Sequence, residues 1–159
     1  MASALDSQKF ASRNVVRMWD HDPNSTAASV ITPDAGTTER WESMGNYGHF
    51  SVAAMASTLT GSGITLLEIV ARESATGATT AIKTSGTIAA DAVGDWAFLE
   101  CTGAEIRQVL SDAGLTITDV DVAGRITVQN AADEAVVVYV LSDPTFAGQD
   151  LTPASTIAA

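Results

Sequence analysis

The sequence predicts a mainly β protein: an antiparallel β-sandwich of jelly-roll type with one short helix and an extended N-terminal arm. Three observations point there. Apolar residues make up 46% of the 159-residue chain but aromatics only 6%, so the apolar content is chiefly Ala, Val, Ile and Leu. Small and β-branched side chains suit a closely packed pleated sheet. Charged residues are sparse at 17%, with Thr, Ser and Gly between the apolar runs. A helical bundle would instead carry a surface of Lys, Glu, Gln and Arg. Several runs alternate with period two and are separated by turn residues, the pattern of half-buried strands.

Three segments follow from the composition: an arm over residues 1–45, a sandwich over 46–143 and a tail over 144–159. In the arm, Lys9, Arg13 and Arg17 recur every four residues, which on a helix makes a basic stripe. Phe10, Val15, Val16, Met18 and Trp19 form no clean helical face, and a short strand at Asn14–Trp19 fits equally well. Beyond it Pro23 and Pro33 sit among Asp, Asn, Ser, Thr and Gly, the chemistry of turns and extended chain. A stretch this long without regular structure is uncommon within a compact domain, so it is either disordered or an arm that orders on a neighbour, and Trp19 and Trp41 favour the second. Large aromatic groups are frequent anchors at interfaces. Lys9, Phe10, Arg13, Arg17, Trp19 and Trp41 are therefore the candidate protein-interface residues. The alternative for the two Trp residues is that they cover the chain's own sandwich.

The sandwich opens on Tyr47–Arg72, expected as two strands joined in a hairpin by Gly61-Ser62-Gly63. Glycine tolerates the positive φ that a tight reversal often needs. Phe50, Val52, Ala54 and Ala56 share one face of the first strand, while Leu67, Ile69 and Ala71 share one face of the second. Ala81–Ile88 reads as one or two short strands broken at Gly86, and Trp96–Cys101 as another strand. Thr102–Gly114 is the one expected helix. Thr102 and Glu105 have capping-box spacing, Ile106, Val109 and Leu110 share a face, and Gly114 suits the C-terminus. Leu115–Ile117 is expected as a short edge strand. Asp121–Gln129 and Ala135–Ser142 are expected as a second hairpin across NAADE, with the two-sided apolar run VVVYVL placed centrally in its sheet. Asp143-Pro144 ends that strand.

The formal net charge is −11, from 8 basic and 19 acidic residues. Binding nucleic acid needs clustered cations to neutralise phosphates, so no direct nucleic-acid partner is expected. Half the positive charge falls in residues 1–45, leaving the body the more acidic part. A single cysteine, Cys101, rules out an intrachain disulfide framework and reads as a small buried apolar residue. The first residues lack the apolar core of a signal peptide, and no run reaches the roughly 18 apolar residues of a membrane span. A soluble protein made in a cytoplasm, with no membrane partner, is expected.

Candidate chemistry is thin. Asp20, His21 and Asp22 form the most ligand-like cluster, but alternating side chains let only the two Asp residues share a side, and a calcium loop needs more oxygen ligands. A solvated turn is expected there. His49 reads as a half-buried strand residue. Asp119 with Asp121, and Asp133 with Glu134, read as ordinary turn carboxylates and not as a glycosidase pair. Glu68 either faces solvent or is neutralised by Arg72, Arg107 or Arg125. Gly61-Ser62-Gly63 has no following helix or Lys and is no phosphate loop. An enzyme is not expected, and neither a cofactor nor a metal.

The order NYGHFSVAAMASTLTGSGITLLEIVARESATGA, then WAFLECTGAEIRQV, then GRITVQNAADEAVVVYVLS resembles small structural proteins of tailed-phage virions, in particular head decoration (cement) proteins. The resemblance covers about two thirds of the chain and lies in strand order and composition. It implies a non-enzymatic protein on the capsid surface, bound to the major capsid protein lattice, as a homo-oligomer (trimer or dimer), and made in the host cytoplasm. Two other readings are a tail or head–tail connector component, and a carbohydrate-binding sandwich using Trp19, Trp41, Trp96, Tyr47 and Tyr139 as a platform.

Overall fold

The structure, a computed structural model, describes residues 14–32, 38–61, 63–73, 77–115 and 119–144. Among these residues nine strands and one helix follow in chain order: β1 (Val15–His21), β2 (Ser29–Val30), β3 (Glu42–Ser43), β4 (Tyr47–Thr58), β5 (Ile64–Glu73), β6 (Thr80–Thr84), β7 (Trp96–Thr102), α1 (Gly103–Asp112), β8 (Val120–Val128) and β9 (Glu134–Pro144). One sheet, here sheet A, has the order β1-β9-β4-β7. Sheet B has the order β2-β8-β5-β6, with β3 beside β2 on the same edge of β8. All pairings are antiparallel.

Counting β2 and β3 as one interrupted strand, the chain pairs from its ends inward: β1 with β9, β2/β3 with β8, β4 with β7, and β5 with β6. That is the order produced by rolling one long antiparallel hairpin into two sheets, the jelly roll. The β-sandwich expectation therefore holds.

Period-two alternation fills the interior. Phe50, Val52, Ala54 and Ala56 of β4 and Ala135, Val137, Tyr139 and Leu141 of β9 face inward from sheet A. Leu67, Ile69 and Ala71 of β5 and Val122, Ile126 and Val128 of β8 meet them from sheet B. The small Ala residues opposite larger aliphatics let the two sheets interdigitate. Tyr139 is the largest buried side chain. Trp19 and Phe50 pack edge-on against its ring, at centroid distances of 4.8 and 5.1 Å.

The Tyr139 hydroxyl crosses the interior to sheet B, where it accepts the Gly124 N–H at 2.6 Å. Gly124 also gives its carbonyl to the Ile31 N–H at 3.0 Å. Both groups of Gly124 thus point to the edge where β2 and β3 are interrupted, and the hydroxyl fills that gap in the ladder. A Cβ at Gly124 would lie 3.0 Å from Val52 Cγ2 and 3.1 Å from Tyr139 Cε1.

The helix is as expected. Thr102 Oγ1 accepts the Glu105 N–H at 3.1 Å while Glu105 returns a carboxylate oxygen to the Thr102 N–H at 2.7 Å, a complete capping box. Its buried residues Ile106 and Leu110 pack against both sheets, closing the sandwich along the β6–β7 side. Along the opposite side Arg17 of β1 reaches Glu42 of β3 at 3.4 Å.

Three expectations need correction. Tyr47–Arg72 is not a hairpin: β4 and β5 lie in different sheets, and the glycine turn carries the chain across the sandwich. Asp121–Gln129 and Ala135–Ser142 likewise divide into β8 and β9 of opposite sheets. Period two assigns faces to residues but not partners to strands, and both reversals join strands whose inward faces oppose each other. Residues 14–32 and 38–45 are not a separate arm, since they supply β1, β2 and β3. The short strand at Asn14–Trp19 is the alternative that the structure takes. Of the expected edge strand Leu115–Ile117, Leu115 is not in a strand and residues 116 and 117 lie outside the described residues. The segments 1–13 and 145–159 also lie outside the described residues.

Tyr139→Phe leaves the Gly124 N–H buried without its acceptor and is expected to cost about 1–3 kcal/mol in urea unfolding. Gly124→Ala, which crowds Val52 and the Tyr139 ring, is expected to cost a similar amount, about 1–3 kcal/mol. Wild-type stability in both variants would contradict this account of the gap.

Candidate functional site

Most of the ionisable groups that the sequence offered for chemistry have a structural partner. His21 is fully buried, not in a solvated turn. Its Nδ1 accepts the Thr32 N–H at 2.9 Å, and Nε2 lies 3.4 Å from Ser29 Oγ. Nδ1 also lies 3.1 Å from the Thr32 carbonyl oxygen, so the Thr32 backbone meets this nitrogen with both its N–H and its carbonyl. Burial holds its pKa below the ordinary value, against the opposing influence of Thr32, Asp22 and Asp20. Asp20 points to the other side of the strand and accepts from Ser57 at 3.4 Å. Cys101 is buried, and burial, with Glu105 nearby, pushes its thiol up to about 12. It therefore stays protonated and is no nucleophile.

Asp133 is also fully buried. Its carboxylate accepts backbone N–H groups from Thr60 (2.6 Å), Gly61 (2.8 Å), Gly63 (3.2 Å) and Asn130 (3.1 Å). Burial alone would push its pKa up, but these backbone donors hold the carboxyl below the usual range. Thr60–Gly63 is the passage from β4 to β5 and Asn130 lies in the passage from β8 to β9, so one carboxylate ties together both crossings at this end of the sandwich. Gly63 has φ +74°, and a Cβ there would collide with the Ala90 carbonyl. Asp121 pairs with Arg72 at 3.5 Å, and Glu134 accepts from Thr58 at 2.8 Å. Glu68 meets Arg125 directly across β5 and β8 at 2.6 Å, so of the partners considered Arg125 is the one used. His49 faces Glu100 at 3.7 Å. Among the described residues no group of three or more His, Cys, Asp or Glu is placed to hold a metal ion.

The two outer faces differ sharply. On sheet B, Val30, Val70 and Ala123 are buried beneath Trp41. Arg72 stacks on that indole at 4.1 Å, and the Glu68–Arg125 and Arg72–Asp121 pairs lie on the same face. The chain covers this face itself. Among the described residues, none covers the outer face of sheet A in this way.

Cross-strand register arranges that face in rows. Asp20, Val136, Met55 and Trp96 lie side by side across β1, β9, β4 and β7. The next row is Met18, Val138, Ala53 and Phe98, and the third is Val16, Val140, Ser51 and Glu100. Nine of these twelve side chains are apolar. Trp96 is 68% exposed, Met18 50%, Phe98 47%, Val16 43% and Met55 42%. Single exposed apolar residues are ordinary, but a contiguous patch marks a surface meant for a partner. The signal was present in the sequence as the two-sided run VVVYVL and the alternation of Trp96 and Phe98.

The candidate interface residues do not gather there. Arg17 and Trp19 face inward from β1, one toward Glu42 and the other onto Tyr139. Trp41 covers sheet B and donates its indole N–H to Glu39 at 2.8 Å. Lys9, Phe10 and Arg13 lie outside the described residues. Of the aromatics considered as a sugar platform, Trp19 and Tyr139 pack against each other and Trp41 is stacked by Arg72, which leaves Trp96 as the strongly exposed one.

A comparison with models of known protein families finds no match, and a comparison with curated proteins finds none either. No helix among the described residues is long and apolar enough to cross a membrane.

Two acid-sensitive steps follow. Unfolded His titrates near pH 6.5 and unfolded Asp near 3.9, and both groups have lower folded-state values, so the unfolded chain takes up each proton first. The stability tied to His21 is full above about pH 6.5 and that tied to Asp133 above about pH 4, each being lost as the pH falls further. In urea unfolding against pH, His21→Gln is expected to flatten the upper step. Asp133→Asn should lower stability at pH 7 by about 2–4 kcal/mol and flatten the lower one. Unchanged profiles in both variants would refute the assignments.

Proposed function

We propose that this chain is a non-enzymatic virion structural protein that binds and stabilises a phage capsid, a decoration (cement) protein at the capsid surface. The observation that carries this reading is the exposed apolar outer face of sheet A, which no described residue covers. Such a face gains free energy by being buried against another protein, at about 25 cal/mol per Å² of apolar surface removed from water. The ionisable groups are consistent with the reading: His21, Glu68, Asp121 and Asp133 are held by partners within the fold. The resemblance in strand order and composition to phage decoration proteins supplies the choice of shell. The acidic body suits an outward position, while Lys9 and Arg13 are the candidates for contact with the major capsid protein lattice.

A second reading, a carbohydrate-binding sandwich, has one feature in its favour. Trp96 and Phe98 form an exposed pair with centroids 6.4 Å apart. Their planes lie at 63° to each other, which gives no flat platform for a sugar ring. A third, a tail or head–tail connector component, differs in copy number: tens per particle, against hundreds for a shell protein.

The test is addition of the purified full chain to shells of its virion that lack it. Saturable binding and a raised shell melting temperature are expected. Charge reversal at both Lys9 and Arg13 is expected to weaken binding by about tenfold or more, with faster sensitivity to salt. Absence of the protein from purified particles by mass spectrometry, or glycan binding without shell binding, would overturn the proposal.

A further inference from the structure

We propose that the outer face of sheet A is a self-association surface whose occupant is the same face of a second copy of this chain. The inference rests on reading this face as an assembly surface and goes on to name the partner. Three observations select a second copy.

The first is charge. The chain carries a net −11, so two copies repel unless they meet where acidic groups are absent. The face provides that region. Its two acids, Asp20 and Glu100, stand at opposite corners, Asp20 at the β1 end of the first row and Glu100 at the β7 end of the third. A two-fold axis lying in the interface, parallel or perpendicular to the strands, places each acid over Trp96 or Val16 of the other copy. No acid then meets an acid. The face is self-complementary in the sense that an isologous contact requires.

The second is area. With Trp96 at 68% exposure, Met18 at 50% and Phe98, Val16 and Met55 between 42% and 47%, covering the nine apolar side chains removes about 600 Å² per copy. A pair buries about 1,200 Å², the lower bound of specific protein interfaces.

The third is shape and composition. The face repeats what the same sheet shows to its own interior: aliphatic residues at alternate positions with aromatics among them. Sheets of this kind stack face to face at about 10 Å, with side chains interdigitating. The opposite face of the molecule cannot do this, because Trp41 and two ion pairs already fill it.

Sedimentation equilibrium of the purified full chain tests this without any shell present, so its outcome is independent of the shell-binding experiment. A species of twice the 16.4 kDa chain mass is expected, dissociating on dilution. Phe98→Glu and Met55→Lys each place a charge in the face and are expected to weaken the association at least tenfold. Val93→Lys, at a residue 67% exposed outside the strands, should leave it unchanged. Hydroxyl-radical footprinting of the wild type gives a readout that does not depend on the variants folding. Oxidation of Met18 and Met55 should fall as concentration rises. A monomer throughout, or an oligomer in which these methionines stay fully reactive, would overturn the proposal.

Discussion

Four backbone N–H groups converge on one buried carboxylate, and the path of the chain between its two sheets depends on that contact. A rolled sandwich must carry the chain across its end without a strand ladder to satisfy the backbone there. Buried N–H groups left without acceptors cost about 1–3 kcal/mol each. Asp133 supplies the acceptor for the β4–β5 and β8–β9 crossings at once. Gly63 lets the backbone come close enough for this, since any side chain there would meet Ala90. With the end closed in this way, neither outer face is needed to hold the two sheets together.

That separation explains the contrast between the two surfaces. The interior is sealed by Tyr139 across the β2–β3 gap, by α1 along one side and by Arg17–Glu42 along the other. Sheet B spends its outer face on the chain itself, under Trp41 and Arg72. Sheet A leaves Val136, Val138, Val140, Met18, Met55, Trp96 and Phe98 facing outward with nothing of the described chain upon them. A contiguous apolar face exposed in this way is a candidate interaction surface.

Much of this was legible in the residues. Period-two runs located β4, β5, β7, β8 and β9, and the spacing of Thr102 and Glu105 marked the N-cap of α1. The two-sided run in β9 placed that strand between neighbours, where it lies between β1 and β4. Strand partners were not legible. A glycine turn between two alternating runs looks alike whether the chain folds back beside itself or crosses to the other sheet. Asp133 read as a turn carboxylate because three of its four backbone donors lie about 70 residues away in sequence, and nothing local announces them. His21 was misplaced for a similar reason: Thr32 and Ser29, which make its burial possible, follow an irregular stretch without periodicity. The apolar outer face needed the register of four strands before its rows could be assembled.

The most direct test of an interior closed by its own contacts, with one sheet face left for assembly, is a high-resolution structure of the native oligomer, by electron cryomicroscopy or crystallography. The account predicts that Asp133 keeps its backbone donors while the Val136–Trp96 and Met18–Phe98 rows lie against another copy, out of water. Copies that meet elsewhere, with Trp96 and Phe98 bathed in solvent, would contradict it.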